Sequence, residues 1–378
     1  MLVHISKSVL VKALQQVYRA VPSHSPNSLL SGLYIHADSE GIVFRGSNTS
    51  LTLQYKVDIQ DGSVHVVRSG SIVCHAKYLY ELVRKMNDDD VILEAKSQSM
   101  LHISAGGTFV RLSGMSQAEE FPSIVPPVSV ALYPTVQVPS RLLISVIQQV
   151  VVAVSTSESR PILTGVSLVI QGERLTMIAT DGIVRMATRT VAIKNEAGVS
   201  ASVIVPGTNL LEISRLLGED GDEPVTIQFY PHQIYFSTNR LCMQSALIEG
   251  KYPPTRDLVP SGYISEVTVN LSILRQTVDR VSVLAEQRLI TLQASEPRLV
   301  LSADTSEIGD MCDGLAWESR SGEDFRITVN GKYLISTLRS MESDCIRIRF
   351  ADKRRPIILL PTDENASWLF LLNPVLTN

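Results

Sequence analysis

Three stretches of this 378-residue chain repeat one pattern, and that repetition constrains the fold more than any other feature. They are VHISKSVLVKALQQVYRAV (3–21), VQVPSRLLISVIQQVVVAV (136–154) and VTVNLSILRQTVDRVSVLA (267–285). Each opens as a short alternating strand, passes a polar or Pro-containing turn and continues at helical spacing. In the second, Leu142, Leu143, Val146, Ile147, Val150 and Val151 form the apolar stripe, and Arg141, Ser145, Gln148 and Gln149 fall on the opposite face. A second trio follows at matching offsets: SIVCHAKYLYELVRKM (71–86), SVIVPGTNLLEISRLL (202–217) and RITVNGKYLISTLRSM (326–341). After each comes an acidic turn (Asn87 to Asp90, Gly218 to Glu223, Glu342 to Asp344) and an alternating strand, VILEA, VTIQF or IRIRF. The pattern predicts an α+β fold of three similar domains, each with two helices packed on antiparallel sheets, six units in all. Three unrelated domains would not share both the order of elements and their spacing.

The boundaries are expected where Pro accumulates, in FPSIVPPVSVALYP (121–134) and KYPPTRDLVPSG (251–262), because Pro and the residue before it favour extended connectors. This gives domains over 1–127, 128–253 and 254–378. Hydrophobic residues make up 44% and charged residues 19%, an ordinary globular balance. The opening MLVHISKSVL lacks a basic segment followed by a long apolar run, and no apolar stretch is long enough to span a bilayer, so a soluble, cytoplasmic protein with no membrane partner is expected. Cys74, Cys242, Cys312 and Cys345 form no CxxC pair and read as reduced thiols rather than metal ligands. The net charge of -4 argues against gripping nucleic acid by bulk charge.

No GxSxG, HExxH or GxGxxG motif is present. Gly250-Lys251 and Gly331-Lys332 are each followed by Tyr and lack the upstream Gly of a P-loop. The histidines are scattered, and Asp88 to Asp90 reads as a solvated turn, mirrored by acidic turns in the other thirds. No catalytic residue, cofactor or metal is therefore expected.

Several stretches together resemble the bacterial DNA polymerase III beta subunit family, the replication sliding clamps. They are VSTSESRPILTGV (154–166), IATDGIVRMA (178–187), ALIEGKYPP (246–254) and the tail WLFLLNPVLTN (368–378), supported by AEEFPSIVP (118–126) and TSEIG (305–309). The resemblance covers the whole chain and keeps the family's order. It implies a head-to-tail homodimeric ring, helices lining the hole and sheets outside. Such a ring is a non-catalytic processivity subunit that encircles duplex DNA without reading its sequence. Its other partners are the polymerase III alpha subunit and the clamp loader, which bind through short linear motifs.

The resemblance places the partner-peptide pocket at Leu163, Thr180, Arg185, Met186, Pro253, Leu258, Pro356, Leu371, Pro374 and Val375. It implies DNA-facing roles for Lys12, Arg19, Arg84, Lys85, Gln149, Arg215, Arg280 and Arg339, with Arg141, Arg275 and Lys332 as further inward charges. Any one of these cations is equally well read as a solvated helix face; their recurrence on equivalent helices favours a basic channel.

Four places depart from the family pattern. Asp257 stands where a basic or polar pocket-rim residue is usual, and Leu376 where a basic residue usually follows the Pro-apolar pair. Gly182, Ile183 and Val184 separate Asp181 from Arg185, one residue more than usual, and SPNSLLSGL (25–33) replaces a more regular Pro-Ile-Leu type motif. The first three cluster at the pocket. They keep open a second reading, a divergent clamp paralogue with altered partners, specialised or inhibitory in replication or repair. On the rim charges alone, an acidic residue beside the anchors of a clamp-binding motif is expected to be repelled or left unattracted.

Overall fold

Alternation in the sequence becomes alternation in burial. In the strand Ser265–Asn270, for instance, Val267 and Val269 are fully buried while Glu266 and Thr268 stay half-exposed. The structure, a computed structural model, describes residues 1–375 apart from 98, 116–117, 125–134, 196–197, 221, 286–288, 306–308 and 364–366, with main chain alone at 220, 304 and 305. Most of the first expected linker, residues 306–308 of the TSEIG stretch and Leu376 thus lie outside the described residues.

The first third runs β1 (Leu2–Ser6), α1 (Lys7–Tyr18), β2 (Gly32–Ala37), β3 (Gly41–Ser47), β4 (Leu51–Asp58), β5 (Val64–Arg68), β6 (Gly70–His75), α2 (Ala76–Lys85), β7 (Asp90–Ser97), β8 (Met100–Ala105) and β9 (Thr108–Ser113). The middle third runs β10 (Thr135–Pro139), α3 (Ser140–Val151), β11 (Gly165–Gln171), β12 (Arg174–Thr180), β13 (Arg185–Ala192), β14 (Ala201–Pro206), α4 (Gly207–Asp220), β15 (Pro224–Phe229), β16 (Gln233–Ser237) and β17 (Leu241–Ala246). The last third runs β18 (Ser265–Asn270), α5 (Leu271–Val281), β19 (Leu289–Ser295), β20 (Arg298–Thr305), β21 (Gly309–Leu315), β22 (Ser319–Gly322), β23 (Phe325–Asn330), α6 (Gly331–Ser340), β24 (Cys345–Phe350), β25 (Ile357–Pro361) and β26 (Ser367–Leu372). Each third therefore carries two helices among antiparallel strands, as the repeats predict.

The described residues pack as two compact units, 1–141 with 215–247 and 142–214 with 248–378. The first unit holds a five-stranded sheet, β5-β1-β7-β8-β9, and an eight-stranded sheet, β10-β15-β16-β17-β4-β3-β2-β6. In the second are a nine-stranded sheet, β14-β11-β12-β13-β26-β25-β24-β18-β22, and a four-stranded sheet, β21-β20-β19-β23. Three sequence repeats give two packed units because the middle third divides its strands. Within the first unit β17 pairs with β4, from Leu241 opposite Tyr55 to Ser245 opposite Leu51. Within the second, β13 pairs with β26, from Arg185 opposite Leu372 to Thr190 opposite Ser367.

Local chemistry fixes the helix ends of the last third. The Asn270 side chain accepts the Ile273 N–H at the start of α5, and Asn330 accepts from Lys332 and Tyr333 at the start of α6. Losing such a cap costs about 1 kcal/mol. One side of α5 buries Leu271, Leu274, Val278 and Val281. The Arg275 side chain, half-buried, reaches the end of α6: its Nε donates to the Leu338 carbonyl at 2.8 Å and its Nη2 to that of Met341. The Leu338 carbonyl also accepts the Met341 N–H at 3.3 Å, so the guanidinium adds a second donor there, gives the Met341 carbonyl a donor, and complements the negative end of the helix dipole.

Candidate functional site

Cross-strand pairing on one face of the nine-stranded sheet sets Met186 (β13), Leu371 (β26) and Ile358 (β25) side by side. They form a buried apolar cluster against which Ile178, Val259, Leu360 and Leu369 pack. Above part of this floor opens a hollow of about 320 Å³. Thr180, Met186 and Leu371 line its base; Asp257, Leu258 and Pro260 line it from one loop, Arg355 and Pro356 from another.

A third wall is the loop from Asp181 to Arg185, held rigidly by its own hydrogen bonds. Asp181 Oδ1 accepts the N–H groups of Ile183, Val184 and Arg185 at 3.1, 2.8 and 3.1 Å. Thr180 Oγ1 accepts from the Gly182 N–H and donates to the Arg185 carbonyl. Gly182 takes φ +78°, a left-handed conformation that favours glycine, and an added Cβ would come within 2.9 Å of Leu163 Cδ1. Below the loop, the Thr180 N–H donates to the Tyr252 hydroxyl oxygen at 3.0 Å. Burial is the main cause that pushes the Tyr252 phenol up to about 12, and the charge of Asp181 adds to it.

The ten pocket residues expected from the resemblance divide. Thr180, Arg185, Met186, Leu258, Pro356 and Leu371 line the hollow. Leu163 is buried behind Gly182 and backs the wall. Pro253, Pro374 and Val375 are half-buried and do not line it, and the Val375 N–H is tied to the Thr328 carbonyl at 2.8 Å. Arg185 lines it without offering its charge: its Nε lies 3.2 Å from Asp181 Oδ2, its Nη2 donates to the Val154 carbonyl, and the guanidinium sits 4.2 Å over the Tyr333 ring. Gly182, Ile183, Val184, Pro260, Arg355 and Asn373 also line the hollow, though the resemblance does not assign them. The departure expected after Asp181 points to the first three, of which Ile183 is 73% exposed. The run Lys353-Arg354-Arg355-Pro356 signals Arg355.

The helix-borne cations behave differently. Arg84, Arg215 and Arg339 occupy the same place in the three second helices, five residues beyond the buried Leu79, Leu210 and Leu334, and all three are exposed. Most of the expected channel cations are paired with carboxylates. Arg84 and Lys85 lie 3.2 and 3.6 Å from Glu81, Arg141 lies 3.0 Å from Asp222, and Arg19 pairs with Glu219. Arg280 lies 2.7 Å from Asp313, and Arg339 lies 3.0 Å from Asp279. Lys12 and Arg215 also have partners, while Lys332 is exposed.

Two expectations need correction. Gln149 does not face solvent: it is 1% exposed, with neither amide atom hydrogen-bonded. Its position three residues after Val146 returns it to the apolar stripe of α3, so counting it with the polar face was wrong. Gln16, at the same place in α1, is also buried, but its Nε2 donates to Glu219 at 2.9 Å. Arg275 is engaged with the end of α6 and is not a free inward charge.

Among the described residues, no group of three or more His, Cys, Asp or Glu side chains is placed to hold a metal ion. No described helix is long and apolar enough to cross a membrane.

Family models for the N-terminal, central and C-terminal domains of the DNA polymerase III beta subunit match residues 1–125, 137–254 and 256–372. The beta sliding clamp of Bacillus subtilis strain 168 is 32% identical over 375 residues, covering 97% of this chain and 98% of that protein. The beta sliding clamp of Halalkalibacterium halodurans is 32% identical over 382 residues, covering 99% of each. The crystal structure of the Bacillus subtilis DNA polymerase sliding clamp superposes with a TM-score of 0.93 over 100% of both chains at 32% identity. That of the Streptococcus pneumoniae DNA polymerase III beta chain does so with a TM-score of 0.92 over 100% of both at 27% identity. With all three domains matched in order and the fold shared end to end, the chain belongs to the family of bacterial DNA polymerase III beta subunits, the beta sliding clamps.

Proposed function

We propose that this protein encircles duplex DNA as a head-to-tail homodimer and tethers polymerase III, the clamp loader and other clamp-binding proteins through short linear motifs seated in the hollow. It works in the cytoplasm as a non-catalytic subunit. The observation that carries the reading is the bookkeeping of strand edges. The last strand of the central domain, β17, pairs with β4 of the N-terminal domain, and the last strand of the C-terminal domain, β26, pairs with β13 of the central one. By the same rule β9, the last strand of the N-terminal domain, should pair with β21 of the C-terminal domain, yet each ends its own sheet. A second copy supplies the missing partner, and a heterologous contact used twice closes a ring. Phe109 on β9 and Ile273 on α5, 56% and 50% exposed, are apolar groups suited to such a seam.

Helices that carry paired cations suit sliding. Exposed ion pairs are weak, so phosphates can exchange with the carboxylates without being held. The test is retention on nicked circular DNA after loading, with release when the circle is cut. Sedimentation that finds only monomer, together with retention indifferent to cutting, would sink the reading.

The second reading, a divergent clamp with altered partners, is favoured by the extended 181–185 loop and by Asp257 in the hollow. Competition between a polymerase-derived clamp-binding peptide and the polymerase separates the two: a housekeeping clamp loses the polymerase to the peptide, a divergent one does not.

A further inference from the structure

The hollow carries two charges of opposite sign that make no ion pair among the described residues. Asp257 and Arg355 both line it, both are exposed, and among the described residues neither makes an ion pair, with each other or with any other group. They come from separate segments: Asp257 from a 3-10 turn, Arg256–Leu258, and Arg355 from the turn that precedes β25. Lys353 and Arg354, next to Arg355, are also exposed and make no ion pair among the described residues. This contrasts with Arg185 in the same hollow, whose charge is spent on Asp181 and a carbonyl. The same hollow is lined by two exposed apolar side chains, Ile183 at 73% exposure and Leu258 at 46%.

We infer that Asp257 and Arg355 act as a two-signed selector: the peptide that fits carries an apolar anchor with an acidic residue on one side and a basic residue on the other. This rests on the hollow being the partner-peptide site and adds which charges its occupant bears. The apolar anchor enters over Met186 and Leu371, its acidic neighbour meets Arg355 and the cations beside it, and its basic neighbour meets Asp257. The two rim charges fix the direction of the chain, because a reversed occupant sets like charges against each other at both ends. The same arrangement revises the expectation drawn from Asp257 alone. Acidic motifs are not excluded; they are received on the Arg355 side.

The experiment uses the full chain and three fluorescein-labelled peptides that share one Leu-Phe anchor. One has neutral flanks, one is acid–anchor–base and one is base–anchor–acid. At low salt, fluorescence polarisation is expected to show one charged order binding about tenfold tighter than the other, from two exposed pairs of modest strength, with the gap shrinking as salt rises. The double variant Asp257→Lys with Arg355→Glu should reverse the preference, and both positions are exposed enough to accept it without loss of fold. Equal binding of the two orders, or a preference that survives the double variant, overturns the selector while leaving the pocket in place. A neutral peptide that does not bind, or that binds Leu258→Glu as well as wild type, overturns the pocket itself and the selector with it.

Discussion

The helices and the hollow use charge in opposite ways. On the helices, Arg84, Lys85, Arg280 and Arg339 each face a carboxylate a few ångströms away, on Glu81, Asp313 or Asp279. In the hollow, Asp257 and Arg355 make no ion pair among the described residues. A paired surface cation offers a phosphate only the difference between two weak interactions, so its hold is shallow and readily exchanged. An unpaired charge beside an apolar floor offers the whole interaction, at a fixed place, to whichever group complements it. One arrangement favours motion along a polymer of uniform charge, the other discrimination among short peptides.

The comparison breaks most visibly if the two regions are not independent. Leu258→Glu should weaken an apolar-anchored peptide by about tenfold to a hundredfold, the worth of burying one anchor at roughly 1.5–3 kcal/mol, and leave retention on circular DNA unchanged. Loss of both on titration and retention assays would mean that the change disturbs the fold. Reversing Arg84, Arg215 and Arg339 together should do the converse: less DNA retained, a salt dependence flattened by about one unit per lost contact, and peptide affinity intact. If retention holds, these side chains do not meet DNA.

Smaller effects sharpen the same contrast. Arg275→Met should lower stability by about 1 kcal/mol, because the Met341 carbonyl loses its donor and that of Leu338 keeps only the Met341 N–H, with little change in the salt slope for DNA; denaturant unfolding and filter binding separate the two readouts. Removing the competing carboxylates, with Glu81→Gln, Asp279→Asn and Asp313→Asn, should tighten DNA binding by about threefold at low salt and slow diffusion along it, measurable by single-molecule tracking. Unchanged affinity would show that those cations are already unavailable for another reason. Least of all, Gln149→Leu should leave stability within about 1 kcal/mol or raise it, since it removes an amide buried without a partner. A large fall in Tm would show that the amide has a role that burial alone does not reveal.

The repeats made the six helices and their flanking strands legible, because amphipathic spacing and alternation are local properties. The strand seams were not. Nothing in LCMQS (241–245) states that it will lie beside LTLQY (51–55), since pairing of distant edges is decided by tertiary packing. Within the hollow, the apolar floor was readable through the resemblance at Met186 and Leu371. Arg185 illustrates what was not: a sequence gives a cation its position, while only the fold shows that Asp181 and the Val154 carbonyl have already claimed it. Gln149 failed for a different reason. A helix turns 100° per residue, so a polar residue adjacent to the apolar stripe can fall inside it, and residue type alone does not decide which side wins.

The joins between strands also determine where such an assembly can come apart. The β4–β17 and β13–β26 joins are between segments of one chain. If one of these frays, its two halves remain leashed, so each sees the other at a high effective concentration and re-forms the ladder quickly. A join between β9 of one copy and β21 of another has no leash. Once both such joins are open, re-forming one again costs translational and rotational freedom, at a rate that falls with dilution. Two joins of six in a dimer are therefore latches and four are hinges, and the distinction comes from covalent connectivity even where the hydrogen-bond ladders are equally good. Fusing the end of one copy to the start of the next by a flexible linker would convert one latch into a hinge, and the time such a ring stays on a circle of DNA would then be set by the single latch that remains.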